Sequence, residues 1–387
     1  RRGRGHPRGN RMNAWLDDAV ARLGPDKMAV ATLGSHSALE ICRGAQLQGL
    51  PTLVVAEHGR HRTYAEHFAA DAQTGRGCVD ATILVDRFAS VLAPEVQAEM
   101  NARHCVFVPH RSFEVYVADY DAIERDFQVP MFGNRRLLRI EERDQHPNQY
   151  DLLDAAEIRH PRLYASHKDI DRPVLVKVLE AERGFERAFF IARSPEHFEA
   201  VAEARLDAGT ITEAALRSAT IEEFVLGTHV NFNFFYSPLT RRVELLGTDT
   251  RRQTNISGLA TVPSTLQAEI LDFISPKYEE AGHVAVTVLE SMLEMIFEAG
   301  ERFVAAAERL YAPGVIGPFA LQSIVVPGPP KKDFVVVDVS PRVPGSPGIA
   351  ATPYSAYLHG RSVSVGERIA MELRAAAYKG RLGEILT

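Results

Sequence analysis

The sequence predicts an α/β domain built on a small parallel sheet, followed by a longer α+β region with antiparallel hairpins. In the first part, short apolar strands alternate with helical patterns, which favours a parallel sheet. These strands lie at residues 28–33, 52–56, 81–86 and 105–108. In the second part, strands pair into two predicted hairpins, at 174–178 with 188–192 and at 320–326 with 334–339. A chain of 387 residues also exceeds what one hydrophobic core usually serves.

The α/β domain is predicted to occupy residues 13–121, and its first strand ends in the turn Gly34-Ser35-His36-Ser37. Ser37 and Glu40 have the spacing of a capping box, which begins a helix. Ligands of open parallel sheets bind at the carboxyl ends of strands, where a helix N-terminus offers N–H groups to a phosphate. The turn is therefore either a phosphate site assisted by His36 or only a turn with a solvated histidine.

The α+β region is predicted to span residues 122–387, with 148–225 as its first lobe and 226–387 as its C-terminal lobe. Lys177 lies at the end of an apolar strand, before the charged connection 179–187. Without further information, it is either a ligand-binding lysine or a solvated lysine at a sheet edge. Likewise, Glu222 and Glu223 either contact a ligand or merely begin a strand.

Two late strands each carry one polar side chain within an apolar run, Gln322 and Asp338. A buried amide or carboxylate needs a hydrogen bond, a counter-ion or a metal, because burying it unpaired costs free energy. Two oxygen ligands on neighbouring strands, close to Arg342, would suit Mg²⁺ that bridges nucleotide phosphates. The alternative is that both side chains face solvent.

Two groups of arginines are candidates for phosphate recognition, because the guanidinium group can bind phosphate bidentately. One comprises residues 249–252 with Asn255, and in it Arg251 is a candidate substrate ligand. The other comprises Arg135, Arg136 and Arg139, between the first two parts of the chain.

Composition restricts the classes of partner. The net charge is −6, and without the five arginines of residues 1–11 it is −11, which argues against bulk nucleic-acid binding. No apolar run approaches the roughly 18 residues that a membrane span needs. The three cysteines show neither a zinc pattern nor a disulfide framework. We expect a cytoplasmic protein, and we expect residues 1–12 to be a basic tail that is disordered or not native.

Seven sequence strings occur in an order that resembles one protein family. They are ATLGSHSALEICRGA, VPHRSF, VPMFGNRRLLR, IEEFVLGT, FFYSPLTRRVELLGTDTR, GPFALQS and VSPRVPG. From about residue 27 to the C-terminus, the chain resembles the archaeal-type formate-dependent synthetases of formaminoimidazole carboxamide ribonucleotide. The resemblance implies an ATP-grasp fold with an N-terminal Rossmann-like pre-ATP-grasp domain.

The resemblance also implies a reaction and its cofactors. A carboxylate, formate, would be phosphorylated by ATP to formyl phosphate, and the formyl group would pass to the amine of 5-aminoimidazole-4-carboxamide ribonucleotide in IMP biosynthesis. The enzyme would be a carbon–nitrogen ligase that uses ATP and Mg²⁺, with Mn²⁺ as another possible metal. Its partners would be small molecules, a nucleotide monophosphate and formate or another carboxylate, and the chain would form a homo-oligomer.

The resemblance assigns roles to residues at matching positions. The implied catalytic residues are Lys177 and Arg342, and the implied ATP contacts are Lys177, Glu222, Glu223, Phe224 and Val225. The implied substrate contacts are His36, Ser112 and Asn255, to which we add Arg251 from the arginine group described above. The implied metal ligands are Gln322 and Asp338.

The chain departs from the family pattern at four places. Residues 179–187 contain one glycine and three acids where the family has a glycine-rich loop, and Asp338 replaces a glutamate. Residues 345–348 lack an asparagine, and Arg111 replaces a glycine. Because these positions belong to phosphate, metal and substrate contacts, two other hypotheses stay open. One is a paralogous ATP-grasp carboxylate–amine ligase with a different substrate pair, and the other is a weakly active nucleotide-binding homologue.

Overall fold

The structure is a computed structural model that describes residues 14–143, 146–178, 189–253, 258–274, 280–328 and 331–387. The strands are β1 (Ala29–Leu33), β2 (Thr52–Glu57), β3 (Ala81–Val85), β4 (Cys105–Phe107), β5 (Leu163–Tyr164), β6 (Val174–Lys177), β7 (Phe189–Ala192), β8 (Thr220–Glu223), β9 (Thr228–Ser237), β10 (Arg242–Gln253), β11 (Glu280–Ala285), β12 (Gly317–Val326) and β13 (Asp333–Ser340). The α-helices are α1 (Ala14–Arg22), α2 (Ala38–Leu47), α3 (Pro94–Ala102), α4 (Arg111–Val117), α5 (Tyr120–Arg125), α6 (Gln149–Ala155), α7 (Pro195–Asp207), α8 (Glu213–Arg217), α9 (Ser264–Phe273), α10 (Leu293–Leu310), α11 (Tyr354–His359) and α12 (Val365–Tyr378).

The first four strands form a parallel sheet in the order β3-β2-β1-β4, which confirms the predicted α/β start. All five residues of β1 are buried, because helices cover both faces of a sheet of this kind. The order reverses at β1, whose neighbours β2 and β4 lie on opposite sides. A crevice opens at such a reversal, beyond the carboxyl ends of the strands. The turns that follow β1 and β4 therefore share one crevice.

Helix α2 forms where it is expected, but the predicted capping box is wrong. The Ser37 side chain makes no capping hydrogen bond; its hydroxyl donates to the carbonyl of Pro344 instead, at 2.8 Å. The Glu40 carboxylate accepts from the N–H of Val365, at 3.1 Å. Both side chains thus join the first domain to the C-terminal part of the chain.

The first domain and the C-terminal helix α12 share one hydrophobic core. Residues of β1, α2 and β4 pack with residues of α12, among them Val30, Ile41, Val106, Ile369 and Leu373. The sheet buries one face against this shared core and the other against residues 83–138. The boundary at residues 121 and 122 stays a prediction.

A close crossing of α2 and α12 depends on Gly44. A methyl group on Gly44 would lie 2.1 Å from the backbone nitrogen of Glu367 and 2.1 Å from the carbonyl carbon of Gly366. We expect Gly44→Ala to lower the free energy of unfolding by about 3 kcal/mol, the upper range for overpacking. Helix propensity alone would instead favour alanine by about 1 kcal/mol. A loss of stability in Gly44→Ala would therefore show that the close helix crossing requires glycine. Urea unfolding measures the effect, with Gly24→Ala, where nothing lies within 4 Å, as the control.

The Glu40 carboxyl at this crossing should make stability depend on pH. Burial raises its pKa from an ordinary 4.5 to about 7, against the opposing backbone hydrogen bonds from Val365 and Gly366. Between these two values the unfolded chain releases the proton and the folded chain retains it, so stability falls as pH rises. In urea unfolding at pH 8, we expect the free energy of unfolding of Glu40→Gln to exceed that of the wild type by about 1–3 kcal/mol. We expect this difference to shrink at pH 5. The control is the exposed Glu298→Gln, and an equal gain at both pH values would contradict the prediction.

The second sheet is antiparallel and has the order β5-β8-β6-β7. The predicted hairpin is confirmed, since Val174 pairs with Ala192 and Lys177 pairs with Phe189. Strand β8 ends at Glu223, so Phe224 and Val225 lie beyond it. The intervening segment 179–188, which includes the loop that departs from the family pattern, lies outside the described residues.

The third sheet has the order β11-β10-β9-β12-β13 and is polar on one face only. Its apolar face packs against α10, through residues such as Phe234, Phe319, Ile296 and Phe303. On the opposite face, one row of directly paired residues crosses four strands. In order from β13 to β10, that row is Asp338, Gln322, Asn231 and Asp249. Because side chains alternate along a strand, these four point away from the core.

Within the described residues, no helix combines the length and the apolar character that a membrane crossing requires.

Candidate active site

Gln322 and Asp338 lie at the β13 end of the polar row, paired opposite each other on β12 and β13. The Asp338 carboxylate lies 3.2 Å from the Arg143 guanidinium. The Gln322 amide oxygen accepts from Arg251 at 2.6 Å, and its amide nitrogen donates to Ser340 at 3.2 Å. Burial disfavours the charged carboxylate, but the nearby cations, Arg143 first, hold the pKa of Asp338 below 3.8. Asp338 therefore stays ionised, and both side chains are half-buried with an arginine partner each.

Lys177 connects the second sheet to the strand that carries Asp338. Its amine lies 2.6 Å from the Glu222 carboxylate and donates to the carbonyl of Val337 at 3.4 Å. Burial lowers the pKa of the amine, and the negative charge of Glu222 opposes that shift. Lys177 is thus not a solvated edge lysine: it lies beside the strand that carries Asp338.

The segment 222–225 divides into a buried and an exposed part. The Glu222 carboxylate is only 2% exposed and also accepts from the Tyr150 hydroxyl at 2.9 Å. Phe224 is 40% exposed, and its N–H donates to the carbonyl of Pro173 at 2.9 Å. Glu223 is half-buried and pairs with Arg172 at 3.6 Å. Glu222 therefore orients Lys177, whereas the residues after β8 offer a surface to a ligand.

Arg342 lies in a buried cluster of charges between the first domain and the end of β13. It contacts Glu141 at 3.0 Å and Glu114 at 3.4 Å. Arg111 contacts the same two carboxylates, at 3.1 Å and 3.0 Å. Burial raises the pKa of Glu114, and so does Glu141, while Arg342 and Arg111 oppose the shift. Arg111, which departs from the family pattern, thus serves as a second counter-ion beside Arg342.

His36 and Ser112 both contact His110 at the crevice of the first sheet. His36 adopts φ +49° in the turn after β1, and its ring stacks on that of His110 with centroids 5.4 Å apart. The N–H of Ser112 points to His110 Nδ1, at 3.3 Å, while His110 Nε2 lies 3.0 Å from the carbonyl of Leu33. This arrangement requires a neutral ring with the proton on Nε2, and burial lowers the pKa of His110 to about 4. The neutral His110 ring supports the exposed His36.

Two predictions from the arginine groups have different outcomes. Arg135 is buried, and its guanidinium donates to the carbonyls of Ile123, Phe127 and Val129, so its prediction as a phosphate ligand is wrong. Arg139 pairs with Glu124 at 2.7 Å and Asp121 at 2.9 Å. By contrast, Arg251 reaches Gln322, as described above. Asn255 lies outside the described residues and stays a prediction.

The same face carries a second polar group around Asp249, which the sequence placed among residues 249–252 without indicating its partners. Asp249 accepts hydrogen bonds from Asn231 at 3.0 Å, from Asn233 at 2.7 Å and from His283 Nδ1. The string NFNFF could have indicated this group, because two amides at every second position of an apolar strand lie on the same face of the sheet. His283 is on β11, a strand that the sequence did not predict.

Comparison with known proteins identifies the family. The chain is 40% identical to the 5-formaminoimidazole-4-carboxamide-1-(beta)-D-ribofuranosyl 5'-monophosphate synthetase of Methanopyrus kandleri, over 94% of this chain and 96% of the relative. It is 39% identical to the synthetase of the same name from Methanothermobacter thermautotrophicus, over 96% and 97%. The chain belongs to this family of synthetases. Two family models also match, a protein of unknown function (DUF1246) at residues 30–164 and a domain of unknown function (DUF1297) at 197–387.

Solved structures confirm the predicted ATP-grasp fold of this synthetase family member. The IMP biosynthesis protein PurP from Thermococcus kodakaraensis is 27% identical with a TM-score of 0.67, over 92% of this chain and all of that one. The ADP complex of purK, an N5-carboxyaminoimidazole ribonucleotide synthetase, is 11% identical with a TM-score of 0.59, over 91% and 78%. At 11% identity the second likeness shows the fold alone. Both belong to the ATP-grasp class, so the α/β and α+β architecture is confirmed as well.

Proposed function

We propose that this chain is an ATP- and Mg²⁺-dependent carbon–nitrogen ligase that formylates the amine of 5-aminoimidazole-4-carboxamide ribonucleotide with formate. The observation that carries the proposal is the convergence of Lys177, Arg251, Gln322 and Asp338 on one polar face, in a member of this synthetase family. The proposed partners are small molecules. The expected homo-oligomer and the cytoplasmic location stay predictions.

The polar face fits magnesium bound together with a nucleotide. Within the described residues, no three His, Cys, Asp or Glu side chains are arranged to hold a metal ion. Mg²⁺ needs fewer protein ligands than that, since it is usually bound by one or two carboxylates together with phosphates and water. The ionised Asp338 and the Gln322 oxygen would hold the ion, or Mn²⁺ in its place. When bound, the ion would neutralise charge on the ATP phosphates.

The cations around this pair would bind the phosphates of ATP. Lys177 and Arg251 now lie against Glu222 and Gln322, within the same cluster. A triphosphate offers Arg251 a stronger, charge-assisted hydrogen bond than the neutral Gln322 amide does, and it offers Lys177 a further anionic partner beside Glu222. The nucleoside would lie along residues 222–225, where Phe224 and Val225 follow the end of β8.

The ribonucleotide would lie in the crevice of the first sheet. His36 and Ser112 follow β1 and β4, the strands at which the sheet order reverses. Arg342 lies between this crevice and the ATP face, held by Glu114 and Glu141. In the proposed reaction it stabilises negative charge that develops on the reacting phosphoryl group. Asn255 is proposed as a further contact to this substrate.

The proposed chemistry has two steps. An oxygen of formate attacks the γ-phosphorus of ATP, giving formyl phosphate and ADP. The amine then attacks the formyl carbon, and inorganic phosphate leaves. Positioning and charge stabilisation supply most of the rate, and water has to be excluded from the acyl phosphate. The enclosed cations of this site are suited to both requirements.

Release of ADP tests the proposal. The protein is mixed with ATP, Mg²⁺, formate and the carboxamide ribonucleotide, and then with each component omitted in turn. We expect ADP and formylated product in a one-to-one ratio from the complete mixture, and no formylated product when any component is omitted. ADP that appears only with another carboxylate and another amine would support a paralogous ligase. ATP binding without ADP release from any pair would support a weakly active nucleotide-binding protein.

A further inference from the structure

Asp249 and His283 form a carboxylate–imidazole pair that the proposed roles above do not use. Asp249 is only 1% exposed, and His283 is 12% exposed at its side chain. Two asparagine amides, those of Asn231 and Asn233, fix the carboxylate at 3.0 Å and 2.7 Å. The His283 Nδ1 atom hydrogen-bonds to the same carboxylate. The imidazole is therefore held in one orientation by a group that is itself held on two sides.

The hydrogen bonds determine which ring nitrogen carries the proton. Burial alone would raise the pKa of Asp249, but the hydrogen bonds from His283 and Asn233 outweigh burial and lower it. An ionised carboxylate can only accept, so His283 Nδ1 must donate. Ser346 Oγ, 2.9 Å from Nδ1, is placed to share that proton. In a neutral ring, Nε2 is then the basic nitrogen.

The basic nitrogen lies beside the crevice proposed for the ribonucleotide. A methyl group built on Gly345 would lie 2.8 Å from His36 Nε2 and 3.7 Å from His283 Nε2. The two nitrogens thus flank one point beside the Cα atom of Gly345. The pair is also on the polar face that carries Gln322, because Asp249 pairs with Asn231 and Asn231 pairs with Gln322.

We propose that His283 is the general base that accepts the proton of the attacking amine, and that Asp249 is its positioning residue. The proposal rests on the proposed formyl transfer and deepens it. The nitrogen lone pair forms the new bond to the formyl carbon, and one N–H proton passes to His283 Nε2. The bond from that carbon to the bridging oxygen breaks, and phosphate leaves with the electron pair. The imidazolium, stabilised by the Asp249 carboxylate, then returns its proton to solvent.

A base is useful here because the amine is a weak nucleophile whose nitrogen becomes strongly acidic once it has attacked. A positioned general base contributes about 100-fold to 10,000-fold to such steps. The formation of formyl phosphate needs no proton from the amine. The two steps should therefore respond differently to the loss of His283.

The test separates those steps in the full-length protein. Hydroxylamine traps formyl phosphate as formohydroxamate and so reports activation of formate, while the ribonucleotide reports transfer. We expect His283→Gln to lower transfer about 100-fold or more while hydroxamate formation stays near the wild-type rate. Imidazole added to His283→Ala should restore part of the transfer. The matched control is His359→Gln, which alters an imidazole 3.4 Å from the Glu244 carboxylate outside this site.

The pH dependence of the transfer rate tests whether His283 is the group that accepts the proton. Within the described residues, the charged or titratable side chains that we place against His283 are Asp249 and Arg251 on β10 and His36 of the first domain. In the wild type, transfer should rise with pH as one group loses its proton, and His283→Gln should abolish that rise. Asp249→Asn should displace the rise and lower transfer about tenfold or more.

Three outcomes would overturn the proposal. The first is wild-type transfer and an unchanged pH profile in His283→Gln. The second is an equal loss of hydroxamate and of transfer, which would place His283 in the activation step. The third is a wild type that forms neither product, and that result would refute the proposed function as well.

Discussion

Asp338→Asn is expected to lower the rate of ADP formation about 100-fold to 1,000-fold and to raise the Mg²⁺ concentration needed for half-maximal rate. Asparagine has nearly the same shape, so the change removes a negative charge and leaves one neutral oxygen. The charge is present at neutral pH in the wild type, because Arg143 and Lys177 hold the pKa of Asp338 below 3.8 in spite of burial. Initial rates measured across a range of Mg²⁺ concentrations give both quantities.

The same strand provides the control. Asp333→Asn makes an identical chemical change at the other end of β13, where the carboxylate is 41% exposed and pairs with Arg159. We expect no more than a small change in rate there. Because Asp338 also pairs with Arg143, thermal unfolding of each variant shows whether a loss of rate reflects a loss of folded protein. Equal effects of the two variants would rule out Asp338 as a metal ligand.

The sequence predicted the parallel sheet and the two hairpins well, because these depend on local patterns. Buried strands such as β1 are continuous apolar runs, and Gln322 and Asp338 stood out as polar residues within such runs. Gln322 and Asp338 lie opposite each other because β12 and β13 are the two strands of one hairpin. The polar pair could therefore be predicted from the sequence, whereas the residues that contact it could not.

The surroundings were not predictable, because they join residues that lie far apart in the chain. Ser37 has the spacing of a helix cap, yet its hydroxyl bonds to the carbonyl of Pro344, which no local pattern indicates. Likewise, the sequence around Arg135 predicts a surface cation, but its guanidinium donates hydrogen bonds to three backbone carbonyls inside the fold. Tertiary partners overrode the local preference in both cases.

The strand β11 shows the same limit for the candidate site. Its sequence, EAGHVA, contains three small residues and has little β propensity, so it gave no strand signal. It forms at the edge of the third sheet because β10 offers its backbone groups for pairing. That pairing brings His283 to Asp249, so the carboxylate–imidazole pair could not be found from either residue alone.

Lys177→Met is expected to weaken ATP binding and to destabilise the protein, and a second substitution should separate the two effects. The lysine amine lies 2.6 Å from Glu222, whose carboxylate is only 2% exposed. Removing the amine leaves a buried charge without its cation, which costs about 3–5 kcal/mol of unfolding free energy. Loss of a charge-assisted hydrogen bond to phosphate should weaken ATP binding about tenfold to 100-fold.

The double variant Lys177→Met, Glu222→Gln removes the unpaired buried charge and retains an acceptor for the Tyr150 hydroxyl. We expect it to recover most of the stability in urea unfolding but none of the ATP affinity measured by calorimetry. Lys168→Met, at an exposed lysine outside the cluster, is the matched control. If ATP affinity returned together with stability, Lys177 would be a structural partner of Glu222 and not a phosphate ligand. If affinity stayed low in a stable double variant while Glu222→Gln alone kept the wild-type affinity, the amine would have to act on the nucleotide itself, because the fold around it would be intact.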